Sequence, residues 1–426
     1  MNLARGKELG ITRKVDAGTF RLTNPPSEWY EGPRLDGGTT RNGDEPGDAH
    51  EASTSLGASP DTGDASSPPL DLANWMSHLS HHLLDTPLHK VRLIGSHDAA
   101  SYKLSSSKMG ALPKWLRTVH SFTNGIATAP FTGIIIRWGE AQHVNIYEQL
   151  RLGVRYLDLR VVCESNGDGD TPNANTFHAE HGMAGPDYRE ILSDIRRFLD
   201  SHPNEVVLCD FNHFHRFTSK QQHFEFIDLC EHYLGEHVAP LALRRASESG
   251  QGTLTYRECL RSNTRCLIFH GGWDHVGVAR KAVEAGCWGR SVKDLWSPWP
   301  MANSRRELTE RFGKLDVDGK QARGFFVLQG VVTPTMSRVV SGLTLPNTWF
   351  RGRKLKNVDN VQGPYEQTVK NLSPRPKTLR QLAERVTPLV SELVVTGKVH
   401  AMCVVMVDHV DLADVRGMLL AAYPRR

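Results

Sequence analysis

The chain has 426 residues, of which 39% are hydrophobic and 23% charged, and it carries a formal net charge of +4. This composition is typical of a globular protein and excludes a collagen-like chain, a coiled coil and a disulfide-stabilised miniprotein. No stretch approaches the roughly 20 apolar residues that a membrane-spanning helix needs, and the sequence starts without the apolar centre of a signal peptide. The seven cysteines are scattered and form no C-x-x-C pair, which favours a reducing compartment. We therefore predict a cytoplasmic protein without a transmembrane segment.

The first part of the chain, residues 1–70, is predicted to be a largely disordered N-terminal extension. Within it, residues 36–69 form a linker that is rich in Gly, Ser, Pro and Asp and has one large aliphatic residue, Leu56. Such a segment cannot bury enough apolar surface to offset the entropy that it would lose on ordering. The linker holds seven acidic residues and one arginine, a net charge of −6, so the rest of the chain carries +10. A basic body of this kind favours anionic partners.

From residue 71 to residue 426, short apolar runs alternate with amphipathic helical patterns, which is typical of an α/β fold. Buried strands are predicted at 91–95, 153–162, 205–211, 264–270, 324–332 and 400–407, with a short strand at 176–178. Helices are predicted at 187–203, 219–234, 378–396 and 410–421. Residues 99–143 look like a long insertion. At this length we predict a distorted TIM-like (β/α) barrel.

Polar side chains stand at the ends of these strands, where a barrel builds its active site. They are His97, Asp98, Asp158, Arg160, His181, Asp210, Asn212 and Asp408. Two imidazoles can act as base and acid in the cleavage of a phosphodiester, and an arginine can neutralise charge on the phosphoryl oxygens. Each residue alone has a simpler explanation. Asp158 and Arg160 could form a structural ion pair, and Asp408 could cap a helix.

Several blocks of the sequence, taken in order, resemble the phosphatidylinositol-specific phospholipase C (PI-PLC) X-domain-containing family. They are NWMSHLSHHLLDTPLHKVRLIGSHDAASY (74–102), QLRLGVRYLDLRV (149–161), HGMAG (181–185), HPNEVVLCDFNHF (202–214), GFFVLQGVVTPT (324–335) and VVMVDHVDL (404–412). The resemblance is to the stand-alone X-domain type. It implies a phosphoric diester hydrolase that cleaves a phosphoinositide-like lipid to diacylglycerol and a cyclic inositol phosphate.

The resemblance also assigns roles to individual residues. It implies that His97 is the general base, that His181 is the general acid and that Arg160 contacts the phosphate. Asp98 would support His181, and Asp408 would support His97. The other polar residues at the strand ends are candidates for substrate binding, together with Arg160: Asp158, Asp210 and Asn212. A rival for the role of the acid is His178, in the sequence TFHAEHG.

Asp98 and Arg160 match the bacterial pattern of this family. The large calcium-dependent enzymes that it resembles place Asn where Asp98 stands and a further acid where Arg160 stands. A metal ion bound at that point would meet the positive charge of Arg160. We therefore predict no metal cofactor and calcium-independent chemistry.

The predicted partner is a phosphoinositide or a related anionic phospholipid, met at the surface of a membrane. Two loops could make this contact: residues 347–356 combine two aromatic with four basic side chains, and residues 296–300 contain two Trp. No nucleic-acid recognition module is visible, so no nucleic-acid partner is predicted. Two alternatives stay open. One is a catalytically weak barrel that binds phosphoinositides or a protein, and the other is a metal-dependent barrel phosphodiesterase such as a glycerophosphodiesterase.

Overall fold

The structure is a computed structural model, which describes residues 70–106, 108, 110, 129–165, 175–238, 254–272, 277–290, 294–319, 324–334, 376–399 and 403–424. The predicted N-terminal extension lies outside the described residues except for Leu70. The aromatic and basic segment 347–356 lies outside them as well.

The described residues form a sheet of ten strands, eight of which are parallel and follow one another around the sheet in chain order. The strands are β1 (Leu93–Ser96), β2 (Val154–Ser165), β3 (Asn175–His181), β4 (Met183–Asp187), β5 (Val207–His215), β6 (Cys266–His270), β7 (Trp288–Gly289), β8 (Leu295–Trp296), β9 (Phe325–Gly330) and β10 (Val404–Val407). Neighbours run in the order β7-β6-β5-β2-β1-β10-β9-β8, and the antiparallel hairpin of β3 and β4 pairs with β2.

The last strand returns to pair with the first, with Leu93 of β1 opposite Val404 of β10. A parallel sheet in which each strand lies beside its predecessor, and the first beside the last, has the topology of a (β/α) barrel. Within the described residues β7 and β8 do not pair, so the barrel is open at this seam. The prediction of a distorted α/β barrel is confirmed.

The helices are α1 (Trp75–His78), α2 (Ser80–Leu83), α3 (Ala129–Gly139), α4 (Ile146–Arg151), α5 (Tyr188–Ser201), α6 (Lys220–Leu234), α7 (Tyr256–Arg261), α8 (Val278–Glu284), α9 (Arg305–Gly319), α10 (Leu379–Val395) and α11 (Val415–Ala422). Local sequence sets where several of them begin. The Asp187 side chain accepts a hydrogen bond from the backbone N–H of Arg189 at the start of α5. At the start of α6, Ser219 and Gln222 form a capping box.

Two predicted elements differ from the observed ones. His181 was expected after a short strand at 176–178, but it is the last residue of a longer strand, β3, which folds back as β4. The helix predicted at 410–421 begins only at Val415, because the Asp414 side chain accepts a hydrogen bond from the backbone N–H of Gly417 and caps it there. Asp408 therefore does not cap this helix.

A fully buried ion pair joins the amino-terminal ends of β2 and β5. Arg155 donates to Glu205 from Nε at 2.9 Å and from Nη2 at 2.6 Å. Arg155 also donates to the carbonyl oxygen of Ala73 at 2.8 Å, and Glu205 accepts the backbone N–H of Ser77 at 3.0 Å. The pair thus fastens the first helical segment of the described chain to the end of the barrel opposite the polar strand ends.

In the part of the chain that the structure describes, no helix is both long and apolar enough to cross a membrane. All seven cysteines are buried and free. The Sγ atoms of Cys209 and Cys266, on neighbouring strands, lie 3.8 Å apart, and one thiol donates a hydrogen bond to the other.

Candidate active site

A cavity of about 580 Å³ opens at the carboxyl ends of the strands. Its polar wall includes His97, Asp158, Arg160, His181, Asn212, His213, Arg290 and Asp408. Its apolar wall includes Trp138, Trp299, Val331, Val332 and Leu379. An apolar cavity with a few convergent polar groups is the usual form of a small-ligand site. The fold therefore brings most of the predicted site residues to one place, although they are far apart in the sequence.

His97 is enclosed by carboxylates. Its Nδ1 lies 2.7 Å from Oδ1 of Asp408, and its Nε2 lies 3.5 Å from Asp98 and 3.8 Å from Asp158. Burial by itself lowers the pKa of His97, but the charges of these three carboxylates outweigh burial and raise the pKa to about 9. Because a carboxylate only accepts hydrogen bonds, Asp408 fixes the proton on Nδ1 and leaves Nε2 as the nitrogen for a ligand.

Asp98 lies between the arginine and the second imidazole. Its Oδ1 is 2.5 Å from Nε of Arg160, and its Oδ2 is 3.4 Å from Nδ1 of His181. Neither oxygen accepts a well-aligned hydrogen bond, so these contacts are electrostatic. Burial raises the pKa of Asp98, but the charges of Arg160, His181 and His97 outweigh burial and lower it to about 2. The Asp98 carboxylate is therefore ionised at any physiological pH.

The backbone of Asp98 is in the left-handed region, with φ 40°, which is strained for a residue with a side chain. The backbone N–H of Asp98 donates to Oδ2 of Asp158 at 2.9 Å, and this bond holds the turn after β1. Strain of this kind persists only where surrounding contacts fix the backbone, and it is concentrated at functional sites. The turn therefore places His97 and Asp98 side by side at the end of one strand.

His181 is held by the end of a helix. Its Nδ1 donates to the carbonyl oxygen of Gly139, the last residue of α3, at 2.7 Å. Gly182, with φ 79°, then makes the tight turn into β4. The ring centres of His181 and His97 lie 6.4 Å apart, with their planes at 81°. Since the Gly139 carbonyl occupies Nδ1, the nitrogen of His181 that is available to a ligand is Nε2.

Arg160 stands beside the first imidazole. Its Nη2 lies 3.5 Å from Nε2 of His97. Burial lowers the pKa of Arg160, but the charges of Asp98 and Asp158 outweigh burial and raise the pKa above its ordinary value. The guanidinium is therefore a permanent positive charge, fixed by Asp98, next to the nitrogen that His97 presents to the cavity.

The predicted substrate-binding residues fall into two groups. Asn212 and Asp158 line the cavity, and the Asn212 amide donates a hydrogen bond to the Asp158 carboxylate. Asp210 is fully buried behind the cavity wall, where it accepts hydrogen bonds from the Tyr156 hydroxyl at 2.7 Å and from Nε of Arg290 at 2.9 Å. Asp210 therefore supports Arg290 and does not itself line the cavity.

His178 lies on the opposite face of β3 from His181, because the two residues are three positions apart and strand side chains alternate. Its Nε2 is 3.7 Å from Oε2 of Glu164 and 3.4 Å from Nζ of Lys108. His178 is not among the residues that line the cavity. The structure therefore does not bring the rival acid to the site.

The sequence did not point to Arg290, which lines the cavity after the two-residue strand β7. One signal for such a residue existed, because a carboxylate in an apolar strand, as at Asp210, requires a cationic partner. Nothing local to the sequence identified which cation this would be.

The loop at 296–300, predicted as a membrane contact because of its two tryptophans, is at the rim of the cavity. Trp299 is 40% exposed, and its ring centre lies 5.6 Å from that of His97.

Among the described residues, one group has the donors for a metal ion. The ligand atoms of His97, Asp98 and Asp158 lie within 4.8 Å of one another. The guanidinium of Arg160 contacts Asp98 at 2.5 Å, and its positive charge would repel a cation bound there. Calcium and magnesium also prefer an all-oxygen set with more ligands. With three ligands, one of them an imidazole, and the positive charge of Arg160 on Asp98, the residues present fit calcium or magnesium poorly.

The fold and the site together define the class of protein. The chain is an α/β barrel in which two imidazoles, a guanidinium and several carboxylates surround one cavity at the carboxyl ends of parallel strands. In an open site of this kind, one imidazole can accept a proton and the other can donate one, while the guanidinium stabilises an anion between them.

The chain is similar to PI-PLC X domain-containing proteins. It is 27% identical to PI-PLC X domain-containing protein 3 of Homo sapiens over 281 residues, which cover 64% of this chain and 78% of that protein. It is 28% identical to protein 2 of Homo sapiens over 296 residues, 68% of this chain and 87% of that protein. It is 33% identical to protein 1 of Mus musculus over 156 residues, 36% and 43% of the two chains. No protein-family model matches. The resemblance predicted from the sequence blocks is confirmed.

Solved structures of bacterial enzymes are similar as well. The phosphatidylinositol-specific phospholipase C of S. aureus aligns with a TM-score of 0.49 at 14% identity, covering 84% of this chain and 100% of that chain. The enzyme of Listeria monocytogenes aligns with a TM-score of 0.46 at 14% identity, covering 84% of this chain and 99% of that chain.

Proposed function

We propose that this protein is a phosphoric diester hydrolase of the PI-PLC type, which cleaves a phosphoinositide or a related phospholipid to diacylglycerol and a cyclic inositol phosphate. The observation that carries the proposal is the meeting of His97, His181 and Arg160 at one cavity, with the imidazole ring centres 6.4 Å apart. A phosphorus atom between these rings has a proton acceptor on one side and a proton donor on the other. The similarity to PI-PLC X domain-containing proteins supports the choice of substrate.

The first step is attack of the inositol 2-hydroxyl on phosphorus. Nε2 of His97 accepts the hydroxyl proton, and Asp408, 2.7 Å from Nδ1, stabilises the imidazolium that forms. Nε2 of His181 gives a proton to the diacylglycerol oxygen as its bond to phosphorus breaks, while Nδ1 stays on the Gly139 carbonyl. One phosphorus–oxygen bond forms and one breaks, so the cyclic inositol phosphate and diacylglycerol are the two products.

Arg160 stabilises the negative charge that grows on the phosphoryl oxygens. Asp98 contacts Nε of Arg160 and fixes the guanidinium, so the two Nη groups are already oriented before a substrate binds. Donors that are fixed before the reaction lower the barrier most, and loss of one such donor costs roughly 100- to 1000-fold in rate. Because the guanidinium supplies this charge, we propose that the reaction does not depend on calcium.

Membrane contact is proposed for the loop at the mouth of the cavity. Trp299 is 40% exposed and Met301 is 64% exposed, and Trp299 also lines the cavity. Exposed apolar side chains beside an opening suit insertion into the interface of a membrane, from which a lipid headgroup can enter. A cytoplasmic location is also part of the proposal, because the seven cysteines are scattered and form no C-x-x-C pair.

The test is release of water-soluble inositol phosphate from phosphatidylinositol vesicles in the presence of EDTA. The wild-type protein should be active, and His97→Ala and His181→Ala should each lose roughly 100-fold or more, the usual contribution of a general base or acid. The exposed His232 on α6 offers a matched control, since His232→Ala removes an imidazole outside the cavity. Thermal unfolding should show that all three variants remain folded.

The same assay separates the alternatives. Activity that disappears in EDTA and returns with a metal ion would favour the metal-dependent phosphodiesterase. Sedimentation with vesicles but no turnover would favour the catalytically silent barrel. Full activity in a protein that lacks both His97 and His181 would end the proposal altogether.

A further inference from the structure

Residues 139–142, here called the clasp segment, begin at Gly139, the last residue of helix α3, and pass behind the ends of three strands. Gln142 is 1% exposed, and its Nε2 donates to the carbonyl oxygens of His97 at 2.9 Å and of Val407 at 3.1 Å. Its Oε1 accepts the backbone N–H of Val410 at 3.0 Å. One buried side chain therefore ties the end of β1 to the end of β10.

This tie lies directly behind the His97–Asp408 pair. His97 follows β1 and Asp408 follows Val407 at the end of β10, so the two side chains come from separate strands. Their Nδ1–Oδ1 distance of 2.7 Å depends on how far apart those strand ends stand. Hydrogen bonds weaken steeply when the distance or the angle changes, so a small separation of the strand ends would weaken the pair.

The same segment also fixes the second imidazole. The carbonyl oxygen of Gly139 accepts Nδ1 of His181 at 2.7 Å and the Ser101 hydroxyl at 2.8 Å. A Cβ atom on Gly139 would lie 2.8 Å from the carbonyl oxygen of His181 and 3.0 Å from Cδ1 of Leu104. Only glycine therefore lets the end of α3 approach β3 closely enough to hold His181.

We propose that the clasp segment positions both imidazoles for proton transfer, with Gln142 as the positioning residue of the His97–Asp408 pair and Gly139 as that of His181. This inference rests on the proposed function, because it assumes that both imidazoles transfer protons during one reaction. Gln142 and Gly139 act through the histidines and touch no reacting atom. Since the two residues are three positions apart, a displacement of the segment changes the alignment of both imidazoles together.

The first test compares Gln142→Leu with Gln222→Leu. Gln222 is also buried and hydrogen-bonded on both sides of its amide, donating to the Ser165 hydroxyl at 3.0 Å and accepting the Thr218 N–H at 2.6 Å, but it belongs to the cap of α6. Both variants lose buried hydrogen bonds and stability. Gln142→Leu should also lose roughly 100-fold in kcat with little change in KM, the scale of a misplacement by about 1 Å. Gln222→Leu should keep the wild-type kcat.

The second readout does not need activity. The groups that face His97 are Asp98 after β1, Asp158 and Arg160 on β2, His181 on β3 and Asp408 after β10. Of these groups, Asp408 is the one whose hydrogen bond to His97 should weaken in Gln142→Leu. The pKa of His97, followed by NMR in histidine-labelled protein and assigned with His97→Ala, should therefore fall in Gln142→Leu and stay unchanged in Gln222→Leu.

A second variant keeps the proposal testable if Gln142→Leu does not fold. Gly139→Ala should lower kcat, because the added methyl group pushes the helix end away from β3. Gly133 lies in the same helix, and a Cβ there would meet nothing within 4 Å, so Gly133→Ala is the matched control and should retain full activity.

The outcomes separate the two proposals. If Gln142→Leu matches Gln222→Leu in kcat and in the pKa of His97, the clasp segment is only structural and the inference is wrong. Equal activity of Gly139→Ala and Gly133→Ala would refute the part that concerns His181. A wild-type protein inactive on every inositol lipid would overturn the proposed function, whereas the NMR titration would still decide whether Gln142 positions His97.

Discussion

Replacement of Asp408 by Asn removes one charge from the side of His97 and leaves the size of the side chain almost unchanged. Asp408 Oδ1 lies 2.7 Å from Nδ1 of His97, and both side chains are buried, so water does not replace the lost charge. The Asn amide can present its oxygen, which keeps the proton on Nδ1, or its NH₂, which forces the proton onto Nε2. In the second arrangement Nε2 cannot accept a proton from the substrate.

The structure sets the size of the effect. Although burial opposes it, the pKa of His97 rises from 6.5 to about 9. This rise corresponds to roughly 3 kcal/mol, since each factor of ten in a proton affinity is worth about 1.4 kcal/mol. Three carboxylates share it, and Asp408 is the nearest. An opposite charge at this distance typically changes a pKa by roughly 1 to 3, so we expect Asp408→Asn to lower the pKa of His97 by that amount.

Two consequences for activity oppose each other. At pH 7 a histidine with a pKa of about 9 is only about 1% neutral, so the variant can gain at most about 100-fold in the neutral, proton-accepting form. Against this, loss of the orienting carboxylate in a serine-hydrolase triad lowers kcat by roughly 10,000-fold. The loss from a misoriented imidazole is larger than the gain from a greater neutral fraction of His97. We therefore expect Asp408→Asn to be much less active than the wild type at pH 7.

The assay is kcat/KM on phosphatidylinositol vesicles across the titration range of His97, together with an NMR titration of the same imidazole. The wild-type profile should bend near pH 9, and this bend should move to lower pH in Asp408→Asn. A wild-type His97 that titrates near 6.5, or a bend that does not move in the variant, would refute the reasoning.

The same pKa also makes stability depend on pH, with a defined sign. Because the folded pKa of His97 lies above its unfolded value of 6.5, the stabilisation is complete below pH 6.5 and is lost as the pH rises through about 9. The difference in the free energy of unfolding between wild type and Asp408→Asn should therefore be larger below pH 6.5 than above pH 9. Buried thiols act equally in both proteins, so urea denaturation of the pair isolates His97.

Two further predictions concern arginines. Arg155→Met leaves the Glu205 carboxylate buried without its partner and should cost roughly 3–5 kcal/mol in urea denaturation, most of which the additional change Glu205→Gln should restore. The control is Arg151→Met, which breaks an exposed pair and should cost less than about 1 kcal/mol; equal losses would contradict the role of the buried pair. Arg160→Lys keeps the positive charge but loses the planar guanidinium that can donate two hydrogen bonds to a phosphate. The kcat should therefore fall by roughly 100-fold or more, and added calcium should not restore it. Rescue by calcium would mean that the site takes a metal.

The features that the sequence predicts well are local ones. A strand that is buried on both faces is a continuous apolar run, and β2, β5 and β10 were found in this way. Ionisable side chains inside such runs are conspicuous because burying them is costly without partners, which is why Asp158 and Arg160 stood out. Their position at the carboxyl ends of parallel strands then follows from the fold.

The features that the sequence does not predict depend on pairing over long distances. Arg290 follows a strand of two residues, too short to show any periodicity, and its partner Asp210 lies 80 positions earlier. Gln142 lies in a stretch that resembled an insertion, and its three hydrogen bonds reach across 45 to 268 positions. Burying a neutral amide is less costly than burying a charge, so a glutamine in such a stretch is not conspicuous in the sequence. Only the coordinates show that Gln142 ties two strands together.

The surroundings of His97 combine two opposing requirements of a general base. Three carboxylates raise its affinity for a proton, which makes it a stronger acceptor for a hydroxyl whose own pKa is far higher. The same carboxylates keep most of the imidazole protonated at neutral pH, and an anionic phosphate bound at Arg160 would increase that fraction further. His181 contacts the neutral Gly139 carbonyl and lies 3.4 Å from the Asp98 carboxylate. Since the reaction needs a proton on His181 as well as a neutral His97, activity on a lipid phosphodiester should fall as the pH rises through the pKa of His97 at about 9.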